Sequence, residues 1–276
     1  MRYITPEVCI RYRLGELPTP RWPAAMMVFR DKAGSTKVLE AMRNVRPVPH
    51  KLLYNSCGPD LGDGCVFRAD LNGSEILVLT RCIWGGPQAA ILVEELAWLG
   101  VRTIVGYGLA GSMDPAVCRG RLIAASAALA SDGTSRAYGC ADPLEADAAL
   151  LRSAQALAGD ALTPVTAATV DALYRETHEL IAAYRSQGAH VVNMETSPLY
   201  AAGRACSVRT LWLGYVSDHL ADGKWDDWYV PAPQAAQEVI ALCQAVLSEA
   251  IDQAPAAAQR PNAAKGDGDG DVPRRV

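Results

Sequence analysis

The strongest constraint on the fold is an alternation. Four apolar runs, AAMMVF (24–29), VRTIVGYG (101–108), GRLIAASAAL (120–129) and VRTLWLGYV (208–216), read as strands, the first fit for full burial. Helical spacing fills the intervals: GSTKVLEAMRNV (34–45), with Ser35 or Thr36 as cap; GGPQAAILVEELAWLG (85–100), with Pro87 in its first turn and Gly100 just past its end; DPLEADAALLRSAQALAG (142–159); RETHELIAAYRSQG (175–188); and APQAAQEVIALCQAVLSEAIDQ (232–253). GCVFRADLNGSEILVLT (64–80) reads as a hairpin turning at Asn72-Gly73. Strands that alternate with helices imply an α/β sheet covered on both faces, and ligands of open α/β sheets sit at strand carboxyl ends. Three segments after strands therefore stand out: GYGLAG (106–111), NMETS (193–197) and SDHLADG (217–223).

A chain of 276 residues, half of them hydrophobic, is long enough for one large core. Residues 1–22 read as an irregular N-terminal arm, 23–254 as the domain, and 255–276 as a low-complexity, disordered tail. The net charge of −4 is spread along the chain, so no basic footprint points to a nucleic-acid polymer. No apolar run approaches the ~20 residues of a membrane span, and MRYITPEVCIRYRLGELPTP holds no signal-peptide core, so the expectation is a cytoplasmic chain with no membrane partner. Eight scattered cysteines without a C-x-x-C pair read as small core residues, and four histidines without ligand spacing predict no metal. No cofactor is expected.

VVNMETSPLY (191–200) sets an acid, Glu195, where an apolar strand ends and a helix begins. An unpaired buried carboxylate costs several kcal/mol, so either a protein donor or a hydroxyl-bearing ligand has to satisfy it. Asp218 follows the strand TLWLGYV directly and reads two ways. Ser217 or Asp218 caps a following turn, or Asp218 is a partly desolvated acid that gives up a proton. Glu195 is open in the same way, because an acid near a helix start also gains from the helix dipole.

Together, GGPQAAILVEELAWLGVRTI, SDGTSRAYG, DALYRETHELIAAYRSQGAHVVNMETSPLYAAG and VSDH resemble the nucleoside phosphorylase superfamily, which includes purine nucleoside and uridine phosphorylases and related nucleosidases. The likeness runs from about residue 64 to 220 in the family's order. It implies a three-layer α/β/α sandwich around a mixed, partly barrel-like sheet, in a homo-oligomer of dimers, trimers of dimers or hexamers. It also implies that Met194 and Glu195 lie under a ribose whose hydroxyls donate to the acid. In the purine-handling branch the Ser-Asp aspartate protonates the leaving base, and Ser217-Asp218 matches it. Trp84, Gly86 and Gly108 fall in the sugar and backbone segments of the site, with Trp84 either against the sugar or in the core. Leu173 stands where relatives carry an aromatic facing the base, and Tyr174 is the remaining ring.

The likeness breaks where phosphate would bind. The family's Gly-Asp-Pro-x-Arg loop is replaced by VFRDKAGS. In its R-x-G-[ST]-x-G turn, Gly106 stands for the arginine and Leu109 for the hydroxyl residue, and Gln88 replaces the serine after Gly-Gly-Pro. A multiply charged nucleophile needs cations to neutralise and orient it. The expectation is therefore hydrolysis of the N-glycosidic bond of a small purine-type nucleoside, with Asp31 either activating water or serving as a solvated turn residue. The alternatives are a phosphorylase with a rebuilt anion site, in which phosphate is co-substrate, and a non-catalytic nucleoside-binding protein.

Overall fold

The computed structural model describes residues 2–14, 22–29, 32–48, 66–140, 142–220, 224–226 and 232–253. The tail and Asp31 lie outside these residues, as do 15–21 of the arm and 221–223 of SDHLADG.

Among the described residues, a sheet of ten strands forms the middle layer. In chain order they are β1 (Ala24–Phe29), β2 (Arg43–Pro47), β3 (Val66–Leu71), β4 (Ser74–Cys82), β5 (Thr103–Ser112), β6 (Leu122–Ala130), β7 (Leu144–Glu145), β8 (Leu162–Thr169), β9 (Val191–Asn193) and β10 (Arg209–His219). The helices are α1 (Pro6–Leu14), α2 (Lys32–Ala41), α3 (Gly86–Trp98), α4 (Gly133–Ala137), α5 (Ala148–Ala158), α6 (His178–Ser186), α7 (Thr196–Cys206) and α8 (Pro233–Asp252). The order β10-β6-β8-β9-β5 closes on itself because β10 also pairs β5, which makes a five-stranded barrel. The strands β1-β4-β3-β2 run out from β5 as an open wing. Parallel pairs such as β1/β5 and β10/β5 coexist with antiparallel ones such as β10/β6 and β5/β9, so the sheet is mixed.

Strand pleat divides the core between two faces. On β1, Ala25, Met27 and Phe29 point to the layer holding Leu92 and Leu96 of α3 and Leu199 and Ala202 of α7. Ala24, Met26 and Val28 point to the other layer, with Val38 of α2, Leu150 of α5, and Val239 and Val246 of α8. The fold is thus a three-layer α/β/α sandwich. Among the described residues no helix is long and apolar enough to cross a membrane.

The β3–β4 hairpin turns where the sequence placed it, with Asn72 at φ 49° and Gly73 at φ 76°, the double left-handed geometry that Asn-Gly supplies. Other elements differ from the sequence reading. Pro6–Leu14 of the arm is helical rather than irregular. Helix α2 starts at Lys32, so neither Ser35 nor Thr36 is its cap, and Ser35 Oγ instead accepts the Arg81 N–H at 3.1 Å. Its predicted end, 43–45, belongs to β2. Strand β5 runs on to Ser112, which puts GYGLAG inside the strand rather than after it.

Candidate active site

The turn between β9 and α7 is held from beneath by buried polar groups. Asp132 accepts the Ser135 N–H at 2.7 Å and the Ser197 hydroxyl at 2.5 Å, and Thr169 Oγ1 accepts the Ser197 N–H at 3.0 Å. Asn193 Nδ2 donates to Thr196 Oγ1 at 2.6 Å. Satisfied buried networks of this kind fix one geometry. Here they hold the first turn of α7 and therefore the residue that caps it, Glu195.

Glu195 is 3% exposed. Burial pushes its carboxyl up to about 7, against the lowering effect of the Met194 and Gly85 backbone N–H groups. Gly85 is the N-cap of α3, so the acid lies where the N-termini of α3 and α7 meet, the favourable end of both helix dipoles. The Met194 N–H reaches Oε2 only at 3.3 Å. Two backbone donors leave acceptor capacity on a carboxylate that has about four lone-pair sites.

Glu195 lines a cavity of about 420 Å³ that Asp218 lines as well. Asp218 owes its direction to an irregularity: the parallel β5/β10 register shifts between Val216 and Asp218, which leaves Ser217 unmatched and sets Asp218 beside Gly111. Such bulges re-aim side chains. A Cβ on Gly111 would stand 3.0 Å from Asp218 Oδ2 and 2.7 Å from Leu220 Cδ1, so the missing side chain gives the carboxylate its place. Ser217 Oγ donates to Asp218 Oδ1 at 2.6 Å, and Trp225 Nε1 donates to Oδ2 at 3.0 Å. A third acid, half-buried Glu176, lines the same cavity. Burial first, and then the charge of Asp218, pushes its carboxyl up to about 7.

The cavity also brings together Met194, Trp84, Leu173, Tyr174 and Ser217. Trp84 is 38% exposed, which removes the core reading for that ring, and Tyr174, at 96%, stands almost free at the rim. Gly86 and Gly108 are not part of the wall. A Cβ on Gly86 would meet Thr134 Oγ1 at 2.8 Å and Pro198 Cγ at 2.9 Å, and one on Gly108 would meet the Trp212 ring at 2.9 Å. Both glycines permit close packing behind the site. Among the described residues no lysine or arginine lines the cavity, and no group of three or more His, Cys, Asp or Glu converges as a metal site.

Position 106, where the sequence reading missed an arginine, is filled by side chains of the two flanking strands and of α7. A Cβ on Gly106 would lie 3.0 Å from Leu199 Cδ2, 3.3 Å from Phe29 Cε2 and 3.4 Å from Trp212 Cδ1. Phe29 ends β1 and lines the cavity beside Leu109. Sequence reasoning passed over Phe29, Glu176 and Trp225. Glu176 was within the quoted DALYRE, but an acid in a turn carries no signal of its own.

The family model described as the phosphorylase superfamily matches residues 41–252. This chain belongs to the nucleoside phosphorylase superfamily. An uncharacterized protein of Acanthamoeba polyphaga mimivirus is 34% identical over 155 residues, 56% of this chain and 61% of its own length. The uridine phosphorylase of Escherichia coli (strain K12) is 39% identical over 69 residues, 25% of this chain and 27% of the enzyme. These matches span less than two thirds of either relative. The crystal structure of purine nucleoside phosphorylase from Toxoplasma gondii in complex with immucillin-H superposes with a TM-score of 0.69 at 20% identity, over 86% of this chain and 95% of that one. At that identity the likeness is one of fold.

Proposed function

We propose that this chain hydrolyses the N-glycosidic bond of a purine-type nucleoside. The observation that carries the reading is the composition of the cavity wall. Of its three carboxylates, Glu195 and Asp218 lie in contrasting settings, while the space at Gly106 is taken by Phe29, Leu199 and Trp212 and no cation lines the described wall. Glu195 accepts hydrogen bonds from the ribose hydroxyls, which provide the donors that its two backbone N–H groups leave wanting. Met194 and Trp84 supply apolar surface to the sugar, and Leu173 and Tyr174 cover the base. Asp218 gives a proton to a ring nitrogen as the C1′–N bond lengthens and its electron pair leaves with the base. The positive charge that grows on the sugar is stabilised by the Glu195 carboxylate. Water adds to C1′ and loses a proton, for which the sequence offers Asp31.

The test is base release from adenosine, inosine, guanosine and uridine in phosphate-free buffer and with added phosphate. Hydrolysis predicts free ribose and equal rates in both buffers. Asp218→Asn is expected to lower kcat on the order of 10²-fold or more, and Asp31→Asn to slow turnover as well. A rate that requires phosphate or arsenate would replace this reading with phosphorolysis, the one favoured by the activity of the E. coli relative.

A further inference from the structure

Asp218 is held by a residue that neither the superfamily likeness nor the proposed chemistry assigns. Trp225 belongs to the short described stretch 224–226, and the residue is 58% exposed, so it adds little to the core. It is nevertheless fixed in place. The next residue, Asp226, accepts the His219 N–H on Oδ1 and donates its own N–H to the His219 carbonyl at 3.1 Å. Asp226 Oδ2 also pairs with Arg119 Nη2 at 2.9 Å. This bracket ties the stretch to the end of β10, one residue beyond the acid, and to the loop that follows β5. The result is an indole N–H aimed at Asp218 Oδ2 at 3.0 Å on the cavity wall.

We propose that Trp225 is a positioning residue for Asp218, whose indole N–H, held by the Asp226 bracket, stabilises the carboxylate charge that appears as the proton passes to the leaving base. The inference rests on the reading that Asp218 is the proton donor. The two donors on Asp218 differ in kind. Ser217 Oγ is a hydroxyl that can turn, and its alternative acceptor, the Ala110 carbonyl, is 3.4 Å away. The indole only donates. Oδ2 is therefore always an acceptor and the transferable proton sits on Oδ1, from which the Ser217 hydroxyl can turn away. As that proton leaves, the charge spreads onto Oδ2 against a donor already in place, the arrangement that accelerates a reaction without reorganisation at the moment of transfer. A neutral, partly exposed donor does less than a buried pair of them, so an effect of about tenfold is expected.

Trp225→Phe keeps a ring over the acid and removes the N–H. With whichever of adenosine, inosine, guanosine and uridine the wild-type chain cleaves, it is expected to lower kcat about tenfold while KM stays within about twofold. With 4-nitrophenyl riboside, whose leaving group departs without a proton, kcat should be unchanged. In an Asp218→Asn background the substitution should add nothing, because the group through which it acts is gone. Asp226→Ala, which frees the bracket and leaves the indole intact, should give the same selective loss. Equal slowing of both substrates, or a double variant about tenfold slower than Asp218→Asn alone, would overturn the proposal. A second measurement needs no turnover: the indole N–H resonance of Trp225 in ¹H–¹⁵N spectra. The hydrogen bond to Asp218 should hold it downfield, and Asp218→Ala should move it upfield. A resonance that ignores Asp218→Ala refutes the contact. If the wild-type chain cleaves no nucleoside, the proposed function fails while this resonance still decides whether Trp225 holds Asp218.

Discussion

Glu195 shows what a buried acid costs a folded chain. Its carboxyl titrates near 4.5 in an unfolded chain and at about 7 in the fold, so the folded state holds the proton more tightly. The associated stability is fully present below about pH 4.5 and is lost as pH rises through 7, a difference of about 3 kcal/mol. Glu195→Gln removes the titration. Urea unfolding should therefore find the variant about 1–3 kcal/mol more stable than wild type at pH 8, with the gap closing near pH 5. An equal difference at the two pH values would mean that desolvation of Glu195 is not the cause. The position of this acid was legible in sequence because it follows an apolar run. The Gly85 N–H that helps hold it was not, since 110 residues separate the two and only the packing of α3 against α7 joins them.

At the scale of elements, the placing of Asp218 on the cavity wall depends on how β5 and β10 lie side by side. Asp218 pairs across to Gly111, and the bulge at Ser217 turns its carboxylate over that bare backbone. Gly111→Ala is expected to push the carboxylate aside and cut kcat by roughly ten- to a hundredfold, measured on base release, since displacements near 1 Å are costly in a reacting geometry. Unchanged kcat would show that Asp218 tolerates the shift or takes no part. Strands with strong apolar character were readable: β1 falls on the six residues that the sequence marked. Strand β8 was not, because LTPVTAAT mixes three threonines with a proline. Pro164 is tolerated there because β9 pairs only with Ala167–Thr169, so the first half of β8 has no ladder on that side and the missing N–H is not needed. Glu176 and Trp225 escaped for the opposite reason: they sit in connections, where no periodicity marks a side chain and only the folded barrel decides which way it points.

For the whole molecule, β10 closes the barrel, and closure depends on three glycines around one tryptophan. Trp212 is fully buried, and the places where Gly106, Gly108 and Gly214 would carry a Cβ all lie against its ring. A methyl at Gly214 would stand 2.2 Å from the Gly108 carbonyl oxygen and 2.5 Å from Trp212. Backbone cannot yield as a side chain does, so Gly214→Ala should cost about 2–4 kcal/mol in urea unfolding and leave the seam between β5 and β10 open to faster amide exchange. A stable variant with unaltered exchange would place the closure elsewhere. The three-layer architecture was visible in the alternation of strands and helices, whereas ring closure was not, because pairing of the last strand with both β5 and β6 has no local signature.

The hydrocarbon packed over Gly106 also limits how the pocket can be rebuilt. A long cationic side chain introduced there has no room until Phe29 or Leu199 becomes smaller, and shrinking Leu199 first leaves a void in the core. A cation at this position therefore demands at least two changes made together.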